Sequence, residues 1–221
     1  MVVLTGAGIS AESGIRTFRD NGGLWEEHRI EDVATPQAWL ADPSLVWHFY
    51  QRRRRQLQDV EPNPAHVALS ELQNGLESMV LITQNVDNLH ERGGSSDVIH
   101  MHGRLETLRC EATGRHEKRM NSTDFSDDFL LCTCCSTPSR VRPDIVWFGE
   151  IPMHMEAIYR AVDACEVFVV VGSSGHVYPA ADLVDVARRH GAWTVLVNAE
   201  PPLNLDSVSY THLTLPTTPV V

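Results

Sequence analysis

Short apolar runs recur along the chain, each giving way to glycine or small polar residues and then to a stretch of helical period. Met1-Val2-Val3-Leu4-Thr5, Met79 to Thr83, Glu166 to Val171 and Trp193 to Val197 are runs of this kind. Continuous apolar runs of this length suit strands of a parallel sheet, covered on both faces. Between them lie helices with clear starts. Asp42-Pro43 supplies an N-cap and a first helical residue for a helix to about Asp59, with Leu45, Val46, Phe49 and Tyr50 along one face. Asn63-Pro64 opens the next in the same way, with Ala68, Leu69, Leu72 and Leu76 at buried-face spacing. Further helices are predicted near Met153 to Ala164 and Ala180 to His190. The alternation predicts an α/β protein, a parallel sheet with helices on both faces. From Gly103 to Arg142 the apolar period falls away and the chain becomes polar and cysteine-bearing, which reads as an inserted module of about residues 103–142. The last residues, 205–221, show no helical or strand period and stand apart from a main domain of residues 1–204.

At 221 residues the chain is long enough for one sizeable core. Eighteen Lys and Arg against 29 Asp and Glu give a formal charge of −11. That disfavours nucleic acid and anionic membranes as partners and suits basic, lysine-bearing proteins, although solubility alone accounts for it equally well. No run approaches the roughly 18 apolar residues of a membrane span and no leader pattern opens the chain, so a cytoplasmic protein is expected. Five cysteines, three of them in Cys132-Thr133-Cys134-Cys135, point to metal or free thiols rather than a disulfide framework. Cys165, in apolar surroundings, reads as a core residue.

The first run leads into Gly6-x-Gly8-x-x-Ala11, which fits the loose dinucleotide-binding pattern of a Rossmann-like sheet. Glycines let the backbone turn sharply and approach a ligand, and the N–H groups opening the next helix can face an anion. A ligand-free strand-to-helix turn has the same pattern. An ordinary dinucleotide domain would continue with a second strand and an acidic residue about 20 residues on. Here the chain gives Arg16-Thr17-Phe18-Arg19-Asp20-Asn21-Gly22-Gly23-Leu24-Trp25, a polar loop that suggests closure over a ligand and counts against simple hydride transfer.

Gly6 to Arg19 as a whole resembles the signature of the sirtuins, the NAD-dependent protein lysine deacylases. The resemblance recurs in Thr83-Gln84-Asn85-Val86-Asp87-Asn88-Leu89-His90, His100-Met101-His102-Gly103, Val146-Trp147-Phe148-Gly149-Glu150 and Gly172-Ser173-Ser174, in the family's order over residues 2 to 204. It implies NAD as cofactor, acylated lysine side chains of proteins as partners, and nicotinamide and O-acyl-ADP-ribose as products. It assigns NAD contact to Gly6, Ala7, Gly8, Ile9, Ser10, Glu12, Thr17, Phe18, Arg19 and Trp25 in the first stretch. Later in the chain it assigns the same role to Gln84, Asn85, Asp87, Gly172, Ser173, Ser174, Asn198 and Glu200. The tail beyond Asn204 departs from the family and is expected to be foreign to it.

For the single residues the local reading stands beside the implied one. His102 is a core or surface histidine on general grounds, one of a metal pair with His100, or, by the resemblance, the general base acting on a ribose hydroxyl. Asn85 is placed to cap a helix, and Ser173 or Ser174 likewise; the resemblance puts Asn85 and Gln84 near the ribose and Asp87 near the carboxamide, and gives the serines NAD contact. Tyr50 and Arg53 lie three apart on a helix, beginning a basic run that suits a solvated face. Tyr50-x-x-Arg53 with Ala11-Glu12 is similar to the sirtuin class that removes succinyl, malonyl and glutaryl groups. An acyl chain ending in a carboxylate needs a guanidinium fork and a hydroxyl donor. Val146, Trp147, Phe148 and Gly149 form a strand entering the core, or the segment that pairs with substrate peptide as an added strand. Cys110, Cys132 and Cys135 resemble three ligands of the family's structural zinc ribbon. Thr113 stands in the fourth place, so the remaining ligand is Cys134, His116 or water, or the metal is lost. The rival functions are a non-catalytic NAD or ADP-ribose binder and a hydride-transferring oxidoreductase.

Overall fold

The computed structural model describes residues 1–15, 24–25, 28–119, 126–199 and 208–213. Its strands in chain order are β1 (Val2–Thr5), β2 (Leu24–Trp25), β3 (His28–Arg29), β4 (Val80–Thr83), β5 (Ile99–His100), β6 (Gly103–Cys110), β7 (His116–Arg119), β8 (Val141–Ile145), β9 (Val167–Val171), β10 (Trp193–Asn198) and β11 (Tyr210–Leu213). The helices are α1 (Ile30–Val33), α2 (Pro36–Ala41), α3 (Pro43–Gln56), α4 (Pro64–Gly75), α5 (Leu89–Arg92), α6 (Met155–Asp163) and α7 (Leu183–Arg189).

Because β1 is apolar at consecutive positions, it must be covered on both sides, and it sits inside a six-stranded sheet of order β11-β10-β9-β1-β4-β5. Every neighbouring pair is parallel, Val2 facing Val80 on one side and Phe168 on the other. The side chains alternate between the layers. Val2, Leu4, Ile82, Phe168, Val170 and Leu196 pack on Ile158 and Val162 of α6 and Leu183, Val184 and Ala187 of α7. Val3 and Leu81 face the other way, onto Leu69 of α4 and Ile9.

The second core is built from two separate excursions of the chain. In the order β7-β6-β8, three strands form an antiparallel sheet. Its Leu105, Leu108, Cys110, Val141 and Ile145 pack with Trp39, Val46, Trp47, Phe49 and Tyr50 from α2 and α3. The antiparallel sheet thus extends to Ile145, and helices from well before it in sequence complete the lobe.

The helix starts follow the local chemistry. Asp42 accepts from the Leu45 N–H at 2.9 Å, and Asn63 from the Ala65 N–H at 2.9 Å. Helix α3 ends at Gln56, and single turns carry the chain on to Asp59 through the Gln58-to-Arg55 and Asp59-to-Gln56 bonds. Helix α4 departs from its expected face: His66, Leu69 and Ser70 are buried, whereas Ala68, Leu72 and Leu76 are exposed. Its inner side lies over polar strand ends as well as apolar sheet, so the residues turned inward are partly polar. The tail also differs from expectation. Tyr210–Leu213 forms β11, parallel to β10, with Ser209 bonded to Thr194 through its N–H at 2.8 Å. A four-residue edge strand with Tyr210 and Leu213 exposed buries too little to leave an apolar pattern.

The turns after β1 and β9 meet through backbone. An added Cβ at Gly6 or Gly8 would stand 2.8 Å from the Gly172 oxygen, and one at Gly172 would stand 2.3 Å from the Ile9 nitrogen. Gly172 also has φ +64°, a left-handed conformation that side chains disfavour. Gly191, at φ +89°, is left-handed too, but a Cβ there meets nothing within 4 Å. Gly191→Ala is therefore expected to cost only the strain, about 1–2 kcal/mol, which lowers the thermal midpoint of a chain this size by about 2–8 °C. Gly172→Ala should lower it at least twice as far, and calorimetry showing equal losses would remove the close approach as a constraint.

Candidate active site

In a parallel sheet the carboxyl ends of the strands lie on one edge, and the residues that leave β1, β4, β9 and β10 gather there. The helix expected after β1 is a 3-10 helix over Ala7–Ser13. Its opening donors serve the chain itself. The Gly6 N–H donates to the Val171 carbonyl at 3.0 Å, that of Gly8 to Gly172 at 2.8 Å, and that of Ile9 to Gly6 at 3.1 Å. These three N–H groups are thus bonded within the chain. Ala7 is half-buried, while Gly8, Ala11 and Glu12 are exposed beside the buried Ile9 and Ser10.

Ser10 is the centre of a buried polar cluster. Its hydroxyl donates to Asp87 Oδ2 at 3.0 Å and accepts from Asn85 Nδ2 at 3.0 Å. The Asn63 N–H points at His66 Nδ1, 3.3 Å away, which leaves His66 Nε2 as an N–H facing Ser10 Oγ at 3.5 Å. Burial pushes His66 down to about 4 and its neighbour His90 down to about 3, so both rings are neutral near pH 7. Burial also raises the Asp87 carboxyl, against hydrogen bonds from the Leu89 N–H and Ser10. Asp87, not Asn85, meets the first N–H of α5, at 3.1 Å, so the capping alternative for Asn85 falls away.

A second chain of contacts ties three strand ends together. Gln84 Nε2 donates to Ser173 Oγ at 2.9 Å, and Asn198 Nδ2 donates to the Ser173 carbonyl at 3.1 Å. Neither Ser173 nor Ser174 caps a helix, because the next helical turn begins only at Ala180. Thr17, Phe18, Arg19 and Glu200 lie outside the described residues, as does the side chain of Trp25.

His102 is in the turn between β5 and β6, whereas His100 ends β5. Its Nδ1 lies 3.0 Å from the Gln84 carbonyl, which can only accept, so Nδ1 carries the hydrogen and Nε2 keeps its lone pair. Burial lowers its pKa and the backbone bond raises it, with burial the larger effect. His100 is a satisfied core histidine, with Asn85 O at 3.1 Å and Glu91 Oε1 at 2.9 Å. The metal-pair alternative therefore has no support from its geometry.

Tyr50 is fully buried, and its oxygen accepts from Trp147 Nε1 at 3.0 Å. Burial drives the phenol well above its ordinary range, so it stays protonated. Arg53 is half-buried with its guanidinium 4.5 Å from the Phe49 ring centre. The basic run is only in part a solvated face: Arg52 and Arg55 are exposed, but Arg54 is buried and donates through Nε to the Leu105 carbonyl. Val146 bonds to the His102 carbonyl at 2.9 Å and Phe148 to Ala34 at 3.0 Å. Gly149, at φ +92°, turns the chain so that Glu150 meets Arg109, Arg142 and the Trp147 N–H.

The sulfurs of Cys110, Cys132, Cys134 and Cys135 all lie within 4.8 Å of one another. Cys135 stands 3.7 Å from both Cys110 and Cys134. Four sulfurs about 2.3 Å from a zinc ion at tetrahedral corners stand about 3.8 Å apart, so these residues fit a closed structural metal site. Cys134 takes the place left open by the sequence. His116 Nδ1 is 2.6 Å from Asp144 instead, and Thr113 Oγ1 lies 3.3 Å from Cys134. Hydrogen bonding, with Thr113 first, lowers the Cys110 thiol to about 6. Cys165 is a core residue.

Sequence reasoning missed His66, Arg54, the bond from Asn63 to the Ile9 carbonyl and the bonding of Glu150. A histidine three residues after an Asn-Pro cap was the available signal for His66. Nothing local distinguishes Arg54 within four successive arginines.

Comparison with known proteins agrees with this geometry. The model of the Sir2 family matches residues 6–179. An NAD-dependent protein deacylase of Shigella flexneri is 54% identical over 207 residues, covering 91% of this chain and 74% of its own length. One from Vibrio cholerae is 54% identical over 204 residues, covering 91% and 82%. The crystal structure of a Sir2 homologue in complex with NAD is 39% identical, with a TM-score of 0.86 over 95% of this chain and 82% of that one. A mutant Sir2 homologue in complex with ADP-ribose has a TM-score of 0.87 at 38% identity, over 95% and 84%. With its parallel sheet, its clustered strand-end polar residues and its four-cysteine lobe, this chain belongs to the Sir2 family.

Proposed function

We propose that this chain, an NAD-dependent protein deacylase of the Sir2 family, removes succinyl and malonyl groups as well as acetyl groups from lysine side chains of cytoplasmic proteins. No helix among the described residues is long and apolar enough to cross a membrane, and the charge of −11 suits lysine-bearing partners. The observation that carries the acyl preference is the placing of Tyr50 and Arg53 three residues apart on α3, with Trp147 joining Tyr50 to the segment bonded to His102.

The strand-end residues fit NAD by their chemistry. Amides from Gln84, Asn85 and Asn198, hydroxyls from Ser10 and Ser173, and the Asp87 carboxyl are the donors and acceptors that ribose and carboxamide groups need. When bound, NAD would supply the glycosidic carbon that receives the acyl oxygen as nicotinamide leaves, and a ribose hydroxyl that would receive the acyl group as the lysine amine is released. His102 holds an unprotonated Nε2, oriented through Nδ1, ready to take a proton from that hydroxyl. Tyr50 offers a neutral hydroxyl donor, and Arg53 a permanent positive charge for an acyl carboxylate. The four sulfurs at the metal site leave no position for substrate, so the ion's part would be to brace the lobe that carries β6.

Three outcomes are expected. In mass-spectrometric assays with NAD and matched peptides, Arg53→Ala should lose about 10- to 100-fold in succinyl removal and keep acetyl removal within a few-fold. Equal losses on both peptides would end the acyl-carboxylate reading. NAD binding without deacylation by the unaltered chain would favour the non-catalytic binder. The kcat/KM of deacylation should rise with pH along an acid limb set by neutral His102. Because burial depresses this group, the limb falls below the ordinary histidine value of about 6.5; a limb above that value that persists in His102→Ala would exclude the assignment. Elemental analysis should find one zinc per chain, displaced more easily by chelator in Cys134→Ser.

A further inference from the structure

Trp147 is almost wholly buried and its ring is fixed from several sides. The Arg142 guanidinium lies 3.6 Å from the ring centre, within cation–π range, and its Nη2 donates to Glu150 Oε2 at 2.7 Å and to the Ile145 carbonyl at 3.0 Å. The same Glu150 oxygen accepts the Trp147 backbone N–H at 2.9 Å, and Arg109 Nη2 donates to both Glu150 oxygens, at 3.0 and 3.1 Å. Glu150 therefore holds the backbone of Trp147 while the arginine it binds covers the ring.

An indole nitrogen is a donor only. Directed at the Tyr50 oxygen from 3.0 Å, it occupies one lone-pair direction and excludes that direction for the phenol hydrogen. The hydroxyl proton of a phenol prefers the ring plane and has two orientations there, so one neighbour of fixed polarity can select between them. Phenylalanine would fill much of the same space without this choice.

We infer that Trp147 is a positioning residue for acyl specificity: its indole N–H turns the Tyr50 hydroxyl into an oriented donor for an acyl carboxylate, with Arg142 and Glu150 holding the indole in place. The inference rests on the proposed reading of Tyr50 and Arg53. It extends that reading by making the residue before the exposed Phe148, in the segment bonded to His102, part of acyl selection.

The test is steady-state kinetics on matched succinyl and acetyl peptides for the unaltered chain, Trp147→Phe, Tyr50→Phe and the double variant. Loss of one hydrogen-bond preference should lower the succinyl-to-acetyl ratio of kcat/KM about fivefold, chiefly through the succinyl KM. The double variant should be no worse than Tyr50→Phe, because the two side chains act through one hydroxyl. A second chain carrying benzothienylalanine at position 147 keeps the ring and lacks only the N–H. It should reproduce the shift, and it decides the matter if Trp147→Phe does not fold. A ratio that falls in Tyr50→Phe but stays unchanged with benzothienylalanine would overturn the inference and leave the acyl reading intact. So would losses in the double variant that multiply. A ratio unchanged in Tyr50→Phe would remove the acyl reading itself, and the inference with it.

Discussion

Two turns of bare backbone meet above the central strands, and the geometry of the strand-end site depends on how closely they approach. Gly6 and Gly8 lie against the Gly172 carbonyl, and Gly172 lies against Ile9, at separations that leave no room for a Cβ. This contact keeps the ends of β1 and β9 together, which places Ser173 within reach of Gln84 from β4 and Asn198 from β10. Glycines in a dinucleotide motif are usually explained by access for a ligand. Here the access they give is first to another part of the same chain.

Around that contact, buried polar groups are kept neutral and directed. His66 and His90 cannot hold a charge cheaply where they are: His66 accepts from the Asn63 N–H and faces Ser10 through Nε2, while His90 Nε2 lies 2.9 Å from Thr5 Oγ1. Asn63, which caps α4, also bonds to the Ile9 carbonyl at 2.7 Å. Through that pair of roles a helix start is fastened to the turn after β1. The same economy appears at His102, where a backbone carbonyl fixes the tautomer without adding a charge.

Much of this was legible in the chain because the determining patterns are local. The apolar runs of β1, β4, β9 and β10, and the Asp42-Pro43 and Asn63-Pro64 helix starts, carry their own signals. The resemblance, not the period, directed attention to His102, Tyr50 and Arg53. What stayed hidden depends on distant partners. Cys134 could not be chosen over His116 until the fold brought Asp144 to His116 and left four sulfurs together. Arg54 is distinguished from its neighbours by contacts far from it in the chain, above all the Leu105 carbonyl of β6. The β11 strand owes its existence to the open edge of β10, and its own side chains announce nothing.

The interleaving of the two lobes also has a consequence for synthesis. Val2 must wait for Val80 before its strand has a first neighbour, and for Phe168 before it has a second. At typical ribosomal rates the interval before both are available is on the order of ten seconds. During that time helices α1 to α3, whose partners are β6 and β8, likewise lack the surface they cover. The nascent chain therefore carries an incompletely paired apolar strand until Phe168 follows and an aromatic-rich helical hairpin until β8 is complete. Shielding from other nascent chains in that interval matters more here than for a protein whose contacts close in order of emergence.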